Sequence, residues 1–407
     1  MEIRPYDQSR DLEAVQRIWH EIGWIDSKAG EEGLADLLRL GHAMVATIDG
    51  AAECLVHTTP GAIRYQETDL DLCAVTAVTT SRIARKQRFA QQVTALQLAD
   101  GANAGAKVAA LGMFEQGFYD RVGFGTGAYD NFLRIDPASL LVDVRFRVPQ
   151  RLTKDDWSAV HACMHRRPRT HGGVVLHPPE LMKAELQFSE QGFGLGYREG
   201  DQITHFIWIH TKAVEHGPYR VTGIAYQTHE QFMELLALIK SLGDQVSVVQ
   251  LWEPPDVQLQ TLLSQPFRNR RNSAKSDYAS EHFAEAWWQL RILDVAACVS
   301  ARSWIGPALE FNLRLTDPVE ALLADSNWRG VAGDYHVRIG DVSEAASGHQ
   351  GGLPLVEGSV NAFSRLWFNV LSATGLTASG ELAMDETLVK RLDQALRLPK
   401  PTFGWDF

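Results

Sequence analysis

Three cations, Arg85, Lys86 and Arg88, fall where the apolar run AVTAVTT hands over to the helical run QQVTALQLADGANAGAK. A helix start exposes amides with no intrahelical partner and the positive end of the helix dipole, so it holds anions well. Cations at that position oppose the dipole and gain nothing from an empty helix start. A large anionic ligand gives them a role, and a pyrophosphate fits best. After the helix come a second apolar run, VAALGMF, and then EQGFYDRVGF. Ala74 to Gly127 therefore reads as strand, basic turn, helix, strand and short helix. Two parallel strands joined this way form a right-handed βαβ crossover. The chain ends in PKPTFGWDF, bounded by prolines and rich in aromatics. A free terminus is usually polar, so this one is expected to pack against the body of the protein.

These residues resemble a known family. Val78–Thr79–Thr80 followed by Arg85–Lys86–Gln87–Arg88–Phe89–Ala90 is similar to motif A of the GNAT N-acetyltransferases, [QR]-x-x-G-x-[GA] after the fourth strand. Glu115 to Gly125, EQGFYDRVGFG, is similar to the family's closing Y-x-x-x-G-F segment. Within GNATs the chain most resembles the Eis (enhanced intracellular survival) type. That resemblance implies two GNAT-like domains and a sterol-carrier-like α+β domain, here 1–137 (catalytic), 138–272 (degenerate) and 273–407. It implies acetyl-CoA as co-substrate and a primary amine as acceptor: a polyamine, a lysine side chain or an aminoglycoside-like compound. Main-chain groups of Val78, Thr79 and Thr80 would hold the pantetheine arm. Arg85 and the amides from Lys86 through Gln87, Arg88, Phe89 and Ala90 to Gln91 would hold the pyrophosphate. Phe114 and Glu115 would border the arm on its other side. Tyr119 would protonate the coenzyme A thiolate, the carboxylate of the last residue, Phe407, would be the base, and Asp406 would hold the substrate ammonium. Family members tend to form hexamers, so a homo-oligomer is implied. The sequence departs from the motif at its glycine, which is Arg88 here. That glycine lets the backbone approach phosphate; an arginine either swings aside and adds a salt bridge or blocks the pocket.

The bulk properties set bounds. A chain of 407 residues holds roughly two to three domains. Hydrophobic content of 45% and charged content of 22% are those of an ordinary globular protein. A net charge of -11 argues against general nucleic-acid binding. Cys54, Cys73, Cys163 and Cys298 are widely spaced, which implies neither a disulfide framework nor a zinc ribbon. No apolar run is long enough to span a bilayer, and the start is not a signal peptide, so a cytoplasmic protein without a membrane partner is expected.

Elements must then position this chemistry. Met1–Tyr6 alternates as a strand, and Leu12, Val15, Ile18 and Trp19 give Asp11–Ile22 a helical spacing. Gly41–Ile48 and Ala51–Thr59 flank the turn Asp49–Gly50, Gly61–Thr68 reads as a further edge strand, and Ala128–Ile135 would be the first unit's last strand. A boundary is expected near Arg134–Pro149. Beyond it the order recurs about 145 residues downstream, as a tandem duplication would give. Its parts are a helix at Lys154–Arg166, the hairpin Phe193–Glu199/Gln202–His210, strand Tyr219–Gln227, helix His229–Leu242 and strand Val246–Leu251. The second turn, TGIAYQTHEQFMELL, has neither the motif nor its cations, so this unit is expected to lack cofactor. Arg268–Ser276 reads as a linker. Strands Leu309–Leu315 and Tyr335–Ile339 and helices Val360–Leu371 and Asp385–Leu396 give the last unit an α+β character.

Weaker signals read structurally. His161 and His165 stand at i, i+4, a zinc-like spacing, but no third ligand is evident and they suit a helix end, so no metal is expected. Gly192–Gly196, GFGLG, precedes a strand and is hairpin punctuation. Trp287–Trp288 is expected at an interdomain contact. The alternative from another class is a GNAT fold that has lost catalysis and binds a small molecule; a purely structural oligomer is a third.

Overall fold

The computed structural model describes residues 2–188, 191–266 and 275–407, and among them the strands form three sheets. The first unit runs β1 (Glu2–Pro5), α1 (Gln8–Ile22), α2 (Lys28–Leu37), β2 (His42–Ile48), β3 (Ala51–Tyr65), β4 (Thr68–Thr80), α3 (Phe89–Asn103) and β5 (Val108–Gly112). Helix α1 forms as its spacing predicts: Asp7 caps it, and Val15, Ile18 and Trp19 are buried. Helix α2 was not legible, because Gly30 and Gly33 weaken its signal. A Cβ on Gly33 would meet the Gln187 side chain at 3.1 Å, so that glycine lets α2 lie against the later helix Pro179–Phe188.

Two strand expectations are corrected. Gly61–Thr68 is not a separate edge strand. Strand β3 continues through Pro60, whose carbonyl accepts from the His177 amide, to Tyr65. After the short β6 (Gly125–Thr126), the strand expected to finish the first sheet, β7 (Asp130–Ile135), joins the second sheet instead.

The second unit runs β8 (Gln150–Leu152), α4 (Trp157–Arg166), β9 (Val174–Leu176), α5 (Pro179–Phe188), β10 (Gly192–Glu199), β11 (Gln202–His210), β12 (Tyr219–Ala225), α6 (His229–Ser241) and β13 (Val249–Trp252). Next come β14 (Glu281–Glu285) and β15 (Trp288–Ile292). Strand β15, buried at every residue, takes the place beside β5 that β7 was expected to fill. A half-buried strand such as β7 would waste that central position. The first sheet is ordered β1-β2-β3-β4-β5-β15-β6 with β9 against β3, and the second β14-β7-β13-β12-β11-β10-β8.

The two units are duplicates. Strands β8, β10, β11, β12 and β13 repeat the pairing of β1 to β5, antiparallel until the last, parallel pair. Both carry a bulge at the same place. His57 and Thr58 face Ala77 and Val75, leaving Thr76 as an extra residue in β4; Trp208 and Ile209 face Gly223 and Val221, leaving Thr222 extra in β12.

The third unit holds α7 (Val295–Ser300), β16 (Leu309–Thr316), β17 (Gly333–Ile339), β18 (Glu344–Ser347), β19 (Leu355–Ser359), α8 (Val360–Trp367), α9 (Ala373–Ala378), β20 (Leu382–Ala383) and α10 (Glu386–Ala395). Its sheet is ordered β18-β17-β16-β19-β20, and Phe311, Phe363, Trp367 and Phe368 fill its interior. Residues 268–274 of the expected linker lie outside the described residues. The four cysteines are free and buried. His161 and His165 both hydrogen-bond through Nε2 to the Leu176 carbonyl, at 2.9 and 2.8 Å, tying α4 to β9. No described helix is long and apolar enough to cross a membrane.

Candidate active site

The site begins where β4 and β5 part. They pair in parallel from Leu72/Val108 to Val75/Leu111 and no further. The Thr76 bulge follows at once, with its hydroxyl 2.6 Å from His57 Nδ1, and a bulge bends and twists its strand. Beyond it β4 continues to Thr80, paired only with β3. Val78, Thr79 and Thr80 thus present one main-chain edge to a gap, and backbone groups left in such a gap need partners.

The turn after β4 leads into α3. Arg85, Lys86, Gln87 and Arg88 are exposed, whereas Phe89 and Ala90 are buried. Arg88 is the N-cap of α3 and adopts φ 66, ψ 12, the left-handed region that glycine favours; Lys86 is also at φ 64. The motif glycine's backbone shape is therefore kept without the glycine, at a cost of about 1–2 kcal/mol per residue. Arg88 itself is exposed. No side chain caps α3, so its first amides stay available. In the duplicate unit the amides are taken: Thr228 caps α6 by accepting from the Gln231 amide, and Gln231 accepts from the Gln227 amide. The start of α3 is left without a side-chain cap, and that of its copy α6 is capped.

This geometry predicts how Arg88 variants behave. Arg88→Gly keeps the loop and holds unfolding stability within about 1 kcal/mol, because glycine adopts the left-handed region without a Cβ penalty. Arg88→Val, β-branched in a left-handed position, lowers unfolding stability by about 1–2 kcal/mol. Denaturant melts check both.

Tyr119 opens a 3₁₀ turn, Tyr119–Val122, rather than lying within an α-helix. It is buried at 2% exposure, edge-on to Phe118 at 4.8 Å and to Phe114 at 5.9 Å. Burial pushes its phenol above the ordinary range. No described residue hydrogen-bonds its hydroxyl, which is left as an uncommitted donor. Phe114, 65% exposed, and exposed Glu115 flank the exit of β5.

The chain end reaches the end of β5. A Cβ built on Gly112, the last residue of β5, would lie 3.1 Å from a terminal oxygen of Phe407. The tail is anchored along its length. Phe403 stacks on Trp288 at 4.1 Å and on Phe407 at 5.8 Å. Val174 donates its amide to the Phe403 carbonyl, and Trp405 donates its indole N–H to Glu185 at 3.2 Å. Trp287 and Trp288 both donate to Asp130, whose carboxyl burial pushes up to about 6. These tryptophans join the first sheet, the second sheet and the tail, the interdomain role expected of them.

A cavity of about 540 Å³ opens beside Phe407. It lies where β12 parts from β13, the duplicate of the first gap, and is closed by α4, α5 and the tail. Trp208, Trp252, Trp405 and Asp406 line it. A Cβ on Gly194 or Gly196 would come 2.6 Å from Trp208 or 2.8 Å from Phe206, so the GFGLG run is small in order to seat those rings.

The match to known proteins rests on the same part of the chain. Residues 2–127 match the model of the acetyltransferase (GNAT) domain family. The chain carries a GNAT acetyltransferase domain. No curated protein matches the sequence. Among solved structures, a probable N-acyltransferase from Enterococcus faecalis V583 is 16% identical, with a TM-score of 0.81 over 100% of this chain and 99% of its own. Eis1 from Mycobacterium abscessus is 16% identical, with a TM-score of 0.75 over 100% of both chains. A GCN5-related N-acetyltransferase from Anabaena variabilis is 15% identical, with a TM-score of 0.76 over 100% of both. The whole chain therefore shares its three-sheet fold with Eis1 and with these transferases.

Beside the GNAT domain stands one acidic group that sequence reading did not single out. Glu185 lines the cavity with Trp405 as its hydrogen-bond donor, and burial pushes its carboxyl up from 4.5 to about 8. Near neutrality it keeps its proton. The unfolded chain loses that proton above the ordinary carboxylate range, so stability from this group falls as pH rises from 4.5 to about 8 and then levels. Glu185→Gln, which copies the protonated form, removes that slope; melting temperatures of both proteins across this window check it.

Proposed function

We propose that the protein transfers acetyl from acetyl-CoA to a primary amine by direct attack. The observation that carries the reading is the opened β4–β5 gap, with an uncapped helix start at one end and the Phe407 carboxylate at the other. Acetyl-CoA supplies the activated acyl group and a thiolate leaving group. Arg85, Lys86 and Arg88, with the amides from Gln87 through Phe89 and Ala90 to Gln91, hold its pyrophosphate. The main chain of Val78, Thr79 and Thr80 pairs with the pantetheine arm, and Phe114 and Glu115 border it. Asp406 holds the acceptor ammonium, and the Phe407 carboxylate takes a proton from it to free the nitrogen lone pair. As the C–N bond forms and the C–S bond breaks, Tyr119 gives its proton to the departing sulfur and recovers one from the acylated nitrogen, which sheds its surplus proton to become the amide.

By resemblance the acceptor is a polyamine, a lysine side chain or an aminoglycoside-like amine, and the protein a cytoplasmic homo-oligomer, hexameric as in Eis proteins. We read the second unit as a degenerate GNAT domain without cofactor, and 273–407 as sterol-carrier-like. The test is isothermal titration with acetyl-CoA followed by thiol release in the presence of amines. Micromolar binding and amine-dependent release are expected; no heat at high micromolar acetyl-CoA overturns the reading.

A further inference from the structure

The second gap repeats the first with one part removed. Pairing between β12 and β13 ends at Arg220/Gln250, as that between β4 and β5 ends at Val75/Leu111. Past the Thr222 bulge β12 runs on to Ala225 beside β11 alone. On the far side, Glu253 gives its amide to the Asn131 carbonyl, next to β7. Neighbours along an antiparallel strand turn their main-chain groups to opposite sides. Trp252 therefore turns its N–H and C=O toward β12, and no residue of β12 pairs with it. Ile224 and Trp252, one from each parted strand, both line the cavity beside Phe407.

The part removed is the free helix start. Thr228 caps α6, whereas no side chain caps α3. A ligand in the second gap thus meets strand edges but no open helix amides, so a phosphate end gains nothing there. Main-chain groups facing such a gap need partners. A chain that offers both N–H and C=O at strand spacing supplies them, as peptides do when they add a strand to a sheet. On the transferase reading the first gap already pairs with a chain of that kind, the amide-bearing pantetheine arm. At the tail the cavity has Asp406 and the chain end for an ammonium. Glu185 and Glu253 are engaged, by the Trp405 indole and by the Leu259 amide. Its volume of about 540 Å³ is that of a small-ligand site, which suits a short segment rather than a folded partner.

We propose that the second gap binds a short extended peptide between β12 and β13, its main chain paired with Trp252 and the facing edge of β12, and its amine at Asp406 and the chain end. The degenerate unit then has a task of its own: it keeps the strand opening and drops the anion site. The inference rests on the transferase reading for the amine's role as acceptor, and it narrows the acceptor to an amine borne on a peptide. Polyamines and aminoglycosides have no amide chain to fill the opening.

The test reads main-chain pairing directly and does not depend on turnover. Amide hydrogen exchange of the full chain is followed by mass spectrometry over the segments that hold β12 and β13. It is measured alone, with N-acetyl-alanyl-alanyl-lysine amide, with trialanine amide and with spermidine, beside tryptophan fluorescence titrations of the same ligands. At saturation, at least one peptide is expected to slow exchange in both segments about tenfold. That peptide is expected to bind about tenfold more tightly than its analogue methylated at the backbone nitrogens, the loss of one or two hydrogen bonds. Spermidine, which has no carbonyl, leaves exchange in both segments unchanged. Exchange that neither peptide slows, methylated analogues that bind equally well, or no binding of either peptide at millimolar concentration overturns the proposal. Thiol release with spermidine and no protection by either peptide sinks this inference and leaves the transferase reading standing. Protection by a peptide with no thiol release from any amine does the reverse.

Discussion

Adding residues after Phe407 is expected to abolish the proposed acetyl transfer while leaving acetyl-CoA binding in place. The proposed base is a main-chain carboxylate, and any extension converts it to an amide that cannot accept a proton. The loss expected for a general base is about 100-fold or more in kcat. The terminal oxygen sits against Gly112, where even a Cβ would approach within 3.1 Å, so added residues also crowd the end of β5. The fold survives, because the tail is held upstream by Phe403 on Trp288, by the Val174 amide and by Trp405 on Glu185. A short Gly-Ser extension is therefore expected to melt within about 1 °C of the native protein, a shift of about 1 kcal/mol or less. Proteolytic removal of the extension back to Phe407 restores the rate, and the same tag at the other end leaves it unchanged. A fully active extended protein, assayed by thiol release, removes Phe407 from the mechanism.

How far the sequence revealed this site depended on how local each part was. The βαβ unit from Ala74 to Gly127 was readable because its strands, basic turn and helix are contiguous and each has its own period. The duplication was readable for the same reason, as a repeated order. Helix α2 was hidden by two glycines whose purpose is a contact with Gln187, far along the chain. The place of β15 beside β5 was illegible because pairing between strands so distant in sequence leaves no local pattern. Glu185 was missed likewise: its partner Trp405 is 220 residues away, and no motif marks a glutamate inside an amphipathic helix. Arg88 was read as a choice between a swung and a blocking side chain. The answer lay in the backbone, since an arginine can adopt the glycine conformation at a modest cost.

Tyr119→Phe is expected to lower kcat about 100-fold near pH 7 with little change in stability or in acetyl-CoA affinity. The substitution keeps the ring among Phe114, Phe118 and Phe124 and removes a hydroxyl that no described residue hydrogen-bonds, so packing has little to lose. The acidity of the departing thiol separates a proton donor from a core aromatic. Burial raises the Tyr119 phenol, so the native residue stays protonated across the assay range. In the variant the sulfur departs as a bare thiolate, which costs most when the thiol is a weak acid, as an ordinary thiol of about 8.5 is. An acetyl thioester of a more acidic aromatic thiol loses its sulfur unaided, so the defect shrinks with that donor. A core residue acting only through packing would lower the rate by the same factor with every acetyl donor. A uniform deficit, or none, takes the acid role away from Tyr119; a deficit that closes with the more acidic leaving thiol supports it.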